Sequence, residues 1–75
     1  MNEKELLKKV GKQIFNLRKM KNITIIELSN KTGIRKEYLL KIEQGNALNV
    51  RISHLIQITK IVGITFLDFI TMVEN

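Results

Sequence analysis

The sequence predicts an all-α domain built from five short helices. Apolar residues recur at spacings of three and four, and no segment alternates apolar and polar residues for long enough to form a strand. Glycine or asparagine stands wherever one of these periodic segments stops. A chain of 75 residues is long enough for one domain, which we expect to span residues 1–75.

The first two helices have clear start and stop signals. Apolar residues at helical spacing predict the first helix, on Leu7, Val10, Ile14 and Leu17. Asn2 and Glu5 suit its start, and Asn22 suits its end. Thr24 and Glu27 form a capping box that predicts the start of a second helix, which Gly33 ends.

Three further helices are predicted after Gly33. The third covers about residues 35–43 and ends at Gly45. Residues 46–50 are predicted to form a loop, and the fourth helix covers about residues 51–62. A fifth helix of about residues 65–73 begins at Thr65 and is apolar over much of its circumference.

Charge is distributed unevenly along the chain. All 13 lysines and arginines lie in residues 1–60, whereas the last 15 residues carry only Asp68 and Glu74, and the formal net charge is +6. An excess of basic residues is typical of proteins that bind nucleic acid, although lysines that only keep the protein soluble would give the same net charge. No membrane-spanning run, signal peptide or cysteine is present, so we expect a cytoplasmic protein with no membrane partner.

An enzyme is not expected. His54 is the single histidine, the carboxylates are not clustered, and there is no glycine-rich phosphate loop. The sequence therefore predicts no catalytic residues, no metal, no cofactor and no small-molecule ligand.

The segments around the second and third helices carry a specific pattern. It reads Ile14-x-x-Leu17-Arg18, Ile23-Thr24-x-x-Glu27-Leu28-Ser29, Thr32-Gly33-Ile34, Tyr38-Leu39-x-x-Ile42-Glu43-x-Gly45, Leu55-x-x-Ile58 and Gly63-Ile64-x-Phe66. Over about residues 10–70 this resembles the Cro/cI-like (XRE) helix-turn-helix family. The resemblance implies a five-helix, lambda-repressor-like DNA-binding domain with the helix-turn-helix at residues 24–43. It also implies a bacterial or phage-encoded, nucleoid-associated transcriptional regulator that binds a palindromic operator as a homodimer and blocks or recruits RNA polymerase.

Two subgroups of that family fit this sequence. The small size, the stretch Glu37-Tyr38-Leu39-x-x-Ile42-Glu43 and the aromatic last helix are similar to restriction–modification controller proteins. Small phage or plasmid repressors have much the same features, so both remain open.

The resemblance makes the third helix the recognition helix, with its N-terminal half in the major groove. Its expected base-reading residues are Arg35, Lys36, Glu37, Leu40 and Lys41. Lysine can donate to guanine, glutamate can accept from cytosine, and leucine can touch a thymine methyl group. The alternative is a solvated charged face on an ordinary surface helix.

Other residues are expected to contact the DNA backbone or to stabilise the fold. The candidate phosphate contacts are Thr24, Lys31, Gln44, Asn46 and Arg51, for which plain loop or cap chemistry is the alternative. The family pattern also implies an ion pair between Arg18 and Glu43 that fixes the recognition helix.

The chain departs from the family pattern at several positions. Ile25 replaces a polar residue that often contacts phosphate, and Arg35 replaces a Ser or Thr cap. Phe15 and Ile26 are predicted to face outward, and the loop at residues 45–50 lacks the usual basic residues and proline. These departures, together with Leu40, motivate a rival hypothesis: a protein-interaction module such as an anti-repressor or antitoxin component.

The last helix is predicted to form the dimer surface. The residues assigned to it are Ile64, Phe66, Phe69, Ile70 and Val73, with Leu67 and Ile70 as the residues that complete the monomer core. The alternative is that the whole helix simply closes that core.

Overall fold

The computed structural model describes residues 2–75 and contains five α-helices within them. These are α1 (Glu3–Met20), α2 (Ile25–Thr32), α3 (Lys36–Glu43), α4 (Ile52–Val62) and α5 (Phe66–Glu74). No strand occurs in that range, which confirms the predicted all-α class. The third and fourth helices begin one residue later than predicted, because Arg35 and Arg51 are N-cap residues rather than helical ones.

Side-chain caps determine where three of the helices begin. Asn2 Oδ1 accepts a 2.8 Å hydrogen bond from the Glu5 amide at the start of α1. Thr24 Oγ1 accepts from the Glu27 amide at 3.0 Å, and the Glu27 carboxylate accepts from the Thr24 amide at 3.3 Å. The predicted capping box is thus present and satisfies two amides that the helix leaves unpaired. The third capped helix is α5, where Thr65 caps the Asp68 amide.

The hydrophobic core lies where α1 crosses the other helices. This helix packs against α3, α4 and α5, while α2 packs against α3 and α4. The centre of the hydrophobic core consists of side chains with almost no exposed surface, namely Ile14, Leu28, Leu39, Ile42, Ile58, Val62 and Phe69. All five helices bury an apolar stripe in this one cluster.

The crossing of α1 and α3 depends on a glycine. A Cβ atom placed on Gly11 would lie 2.6 Å from the carbonyl oxygen of Glu43 and closer still to that of Ile42. Both of those atoms belong to the backbone of α3, so neither can move aside as a side-chain end can. The absence of a side chain at Gly11 therefore allows α3 to approach α1 closely.

The predicted dimer surface on α5 is wrong for two residues. Phe69 has no exposed surface and Val73 is only 3% exposed, because α5 packs against both α1 and α4 and this i, i+4 pair faces inward. Leu67, which we assigned to the monomer core, is instead 74% exposed. The other three residues are partly buried and pack against the edge of the core: Ile64, Phe66 and Ile70.

Within residues 2–75 no single helix is both long and apolar enough to cross a membrane. Only α4 and α5 taken together reach that length and composition, and the chain bends by 101° between them.

Candidate nucleic-acid interface

The turn between α2 and α3 is fixed by hydrogen bonds from two side chains. Gly33 adopts a φ of +76°, and its amide donates to the Ser29 carbonyl at 2.8 Å. The Thr32 hydroxyl donates to the Leu28 carbonyl at 2.7 Å and accepts from the Ile34 amide at 3.2 Å. The Ser29 hydroxyl donates to the Ile34 carbonyl at 2.6 Å. These bonds hold the two helices at a fixed angle.

Helix α3 is divided into a buried face and an exposed face. Leu39 and Ile42 point into the core. The structure places all five predicted base-reading residues on the exposed side of α3 or at its N-cap: Arg35, Lys36, Glu37, Leu40 and Lys41. Arg35 makes no side-chain cap, so its guanidinium group is not used to begin the helix. The exposed face carries three basic groups and one carboxylate.

An ion pair joins the end of α3 to α1. The Nε and Nη2 atoms of Arg18 donate to the two carboxylate oxygens of Glu43 at 2.7 and 3.0 Å. The third nitrogen, Nη1, donates to the Ile23 carbonyl at 2.9 Å. The two charged side chains are only 10% and 5% exposed. A bidentate pair that is this well shielded fixes both the direction and the distance of α3 relative to α1.

Phe15 has a role that the sequence reasoning missed. Its ring is 42% exposed, as predicted, but it lies under two cations. The guanidinium carbon of Arg18 is 5.5 Å from the ring centroid, and the ammonium group of Lys19 is 5.9 Å from it. Phe15 therefore shields the Arg18–Glu43 pair from one side. Its spacing of three and four residues from these cations within one helix was the available signal.

The predicted phosphate-contacting residues are all exposed but do not form one cluster. They are Thr24, Lys31, Gln44, Asn46 and Arg51. The Thr24 hydroxyl is already engaged in the cap of α2, whereas Arg51 makes no side-chain cap on α4. Asn46 lies beside the start of α1, in a shallow cavity that it shares with Asn2 and Lys4.

A polar groove separates α3 from the first turns of α4. It has a volume of about 780 Å³, and its walls include Arg35, Glu37, Lys41, Ser53, His54 and Gln57. Tyr38 lies between the two walls, because its ring meets the edge of the His54 ring at a centroid distance of 5.5 Å. The Tyr38 hydroxyl lies 3.0 and 3.1 Å from the carbonyl oxygens of Leu48 and Asn49 and donates to the loop there.

The α4 wall of this groove was absent from the sequence-based site. Its side chains follow the recognition helix by ten or more residues, and only the packing of α4 against α2 places them across the groove from α3. Within residues 2–75 there is no group of three or more His, Asp or Glu side chains placed to hold a metal ion.

Helix α3 is short, has an exposed basic face and follows a tight glycine turn. This arrangement defines a helix-turn-helix domain, a class of fold that places one helix in the major groove of DNA. The sequence matches a family model described as a helix-turn-helix domain over residues 11–74. The chain belongs to this family, which confirms the resemblance to XRE-type helix-turn-helix proteins. Its fold and family are those of DNA-binding regulators.

A solved structure has the same fold. The crystal structure of the clp gene regulator ClgR from Corynebacterium glutamicum superposes with a TM-score of 0.86 at 22% sequence identity. The match covers 92% of this chain and 72% of that chain. No curated protein matches the sequence significantly.

Proposed function

We propose that this protein is a sequence-specific, double-stranded DNA-binding transcriptional regulator that acts as a homodimer on a palindromic operator. The observation that carries the proposal is the exposed basic face of α3, fixed at one end by the α2–α3 turn and at the other by the Arg18–Glu43 pair. Membership of the helix-turn-helix family supports it. The protein would act in the cytoplasm, where its bound operator controls access of RNA polymerase.

The proposed mechanism separates positioning from reading. The net charge of +6 attracts the duplex, and exposed donors such as Arg51 and Gln44 contact phosphates without regard to sequence. Lys36 and Lys41 then donate to guanine O6 and N7, Glu37 accepts from a cytosine amino group, and Leu40 contacts a thymine methyl group. Because α3 is held rigidly, it cannot shift to accommodate a base pair that differs from the operator. Such a base pair therefore leaves these side chains without their hydrogen-bond partners.

Replacing Lys36 by alanine tests this assignment. We expect operator affinity to fall by about tenfold, since a specific base contact contributes about 1–3 kcal/mol, whereas affinity for unrelated duplexes falls by much less. Fluorescence anisotropy with operator and non-operator duplexes measures both. Equal losses on all sequences would show that Lys36 contacts only phosphate.

The dimer surface proposed here differs from the one that the sequence predicted. Leu67 is 74% exposed at the start of α5, and the neighbouring Ile64, Phe66 and Ile70 are partly exposed. An exposed leucine beside a partly covered apolar rim suits contact with a second copy across a two-fold axis. Such a pair would place two recognition helices about one DNA turn apart.

Replacing Leu67 by lysine is expected to convert the dimer to a monomer. An ammonium group at the centre of an apolar interface should raise the dimer Kd by about 30-fold or more, the effect of losing a binding hot spot. Sedimentation equilibrium over a concentration series measures this. Leu48→Lys is the matched control, because Leu48 is 79% exposed in the α3–α4 loop and the change adds the same charge. A monomeric wild-type protein would contradict the proposed dimer.

The rival protein-interaction hypothesis retains two of its residues, since Leu40 is 37% exposed and Ile26 is more exposed still. Ile26 is 58% exposed on α2 and has no structural explanation there. Ile25, by contrast, packs against the core, and Phe15 is accounted for by its cations. The salt dependence of binding separates the two functions, since phosphate contacts weaken steeply with ionic strength and apolar contacts do not.

A further inference from the structure

We propose that the groove between α3 and α4 receives one sugar–phosphate strand of the bound duplex, with His54 and Gln57 as phosphate donors on its far wall. This inference rests on the proposed function, since it assumes that α3 enters the major groove. It extends the interface from Arg51, the N-cap of α4, into the body of that helix, at residues that neither the sequence pattern nor the family match assigns.

The widths of an α-helix and of the major groove support a DNA strand in the groove between α3 and α4. An α-helix with its side chains is about 10–12 Å across, and the major groove is about 12 Å wide. A helix that fills the groove therefore has a DNA strand along each flank. Helices α1 and α2 pack against α3, whereas α4 lies across the open polar groove from it. A strand on that side must pass the wall formed by Ser53, His54 and Gln57.

The His54 ring is held in a position from which it can donate. Its Nδ1 atom is buried and is the one buried side-chain nitrogen or oxygen in residues 2–75 without a hydrogen-bond partner. Burying an unpaired N–H group there costs more than burying an unpaired lone pair, so the proton belongs on Nε2. The edge contact with Tyr38 fixes the ring against the groove wall, and Nε2–H remains available to a phosphate oxygen.

The charges around the groove suit a phosphate. Arg35 and Lys41 on the α3 wall outweigh the single carboxylate of Glu37, and α4 has no acidic residue in its first turn. Ser53 and Gln57 add neutral donors along the α4 wall. Donors of this kind hold a DNA backbone in register without selecting a sequence.

Two substitutions test the proposal in the full-length protein. His54→Phe keeps the ring contact with Tyr38 and removes both nitrogens, so the fold is expected to remain intact. Gln57→Glu replaces an amide with a carboxylate of the same shape and repels phosphate. Asn16→Asp makes the same chemical change at an exposed position of α1, on the face turned away from Gly11 and Ile14. Binding to a mixed-sequence duplex of more than two helical turns is measured by anisotropy at two salt concentrations.

We expect His54→Phe and Gln57→Glu each to weaken binding by about tenfold on operator and non-operator duplexes alike, the effect of losing a hydrogen bond to a charged group. The Gln57→Glu loss should shrink as salt rises, and Asn16→Asp should change affinity by less than about twofold because of screening. Wild-type affinity in both groove variants would overturn this inference and leave the proposed function standing. Failure of the wild-type protein to bind any duplex at low salt would instead overturn the proposed function, and this inference with it.

Discussion

The substitution Gly11→Ala is expected to destabilise the domain by about 3 kcal/mol or more, at the upper end of the range for overpacked sites. The new methyl group would meet the Ile42 and Glu43 carbonyl oxygens of α3, which are backbone atoms within a helix. Alanine stabilises a helix by about 1 kcal/mol relative to glycine. The measured loss in the free energy of unfolding is therefore the cost of the steric clash minus this gain. A domain of this size has a total free energy of unfolding of only about 4–11 kcal/mol, so this loss removes a large part of it and the variant should unfold at a much lower urea concentration than the wild type.

Gly33→Ala provides the matched control for this prediction. Its new Cβ atom would meet nothing within 4 Å, so the change costs only the strain of holding alanine at a φ of +76°. We expect that cost to be about 1–2 kcal/mol. Urea unfolding followed by circular dichroism measures both variants. A smaller loss for Gly11→Ala than for Gly33→Ala would contradict the close crossing of α1 and α3.

Breaking the Arg18–Glu43 pair is expected to have the second large effect. Glu43→Gln leaves a buried guanidinium group without its counter-charge, which costs about 3–5 kcal/mol for a buried pair. Because the pair anchors α3 to α1, operator binding should also fall more than binding to unrelated duplexes. Denaturant unfolding and anisotropy measure the two effects.

The double variant Arg18→Met, Glu43→Met tests the cause of that loss. Replacing both charged groups by apolar side chains of similar volume is often close to neutral for stability. Only the Ile23 carbonyl loses its donor, and Ile23 is partly exposed, so water can replace it. We therefore expect the double variant to be more stable than Glu43→Gln. A double variant that is less stable than Glu43→Gln would contradict the unpaired guanidinium charge as the cause of the loss.

The sequence was sufficient to predict structure that local chemistry determines. The capping box of Thr24 and Glu27, the end of α2 at Gly33 and the exposed face of α3 all depend on residues close together in the chain. The predicted Arg18–Glu43 pair is a long-range contact, and the structure contains it. Here the family pattern supplied what local periodicity could not.

The sequence failed where packing between helices decides the outcome. Helix α5 is apolar around much of its circumference, so its composition could not show that Phe69 faces the core while Leu67 faces solvent. The groove wall at His54 and Gln57 was missed for a similar reason. Those residues are distant in sequence from α3 and lie across the groove from it only because α4 packs against α2.

The most direct test of the account is selection of the wild-type protein against a pool of randomised duplexes at two salt concentrations. We predict that a palindrome is enriched, with half-sites about one helical turn apart, and that affinity falls steeply as salt rises. A folded protein that binds no duplex at low salt would contradict DNA binding. Attention would then move to the exposed Ile26 on α2 as a surface for a protein partner.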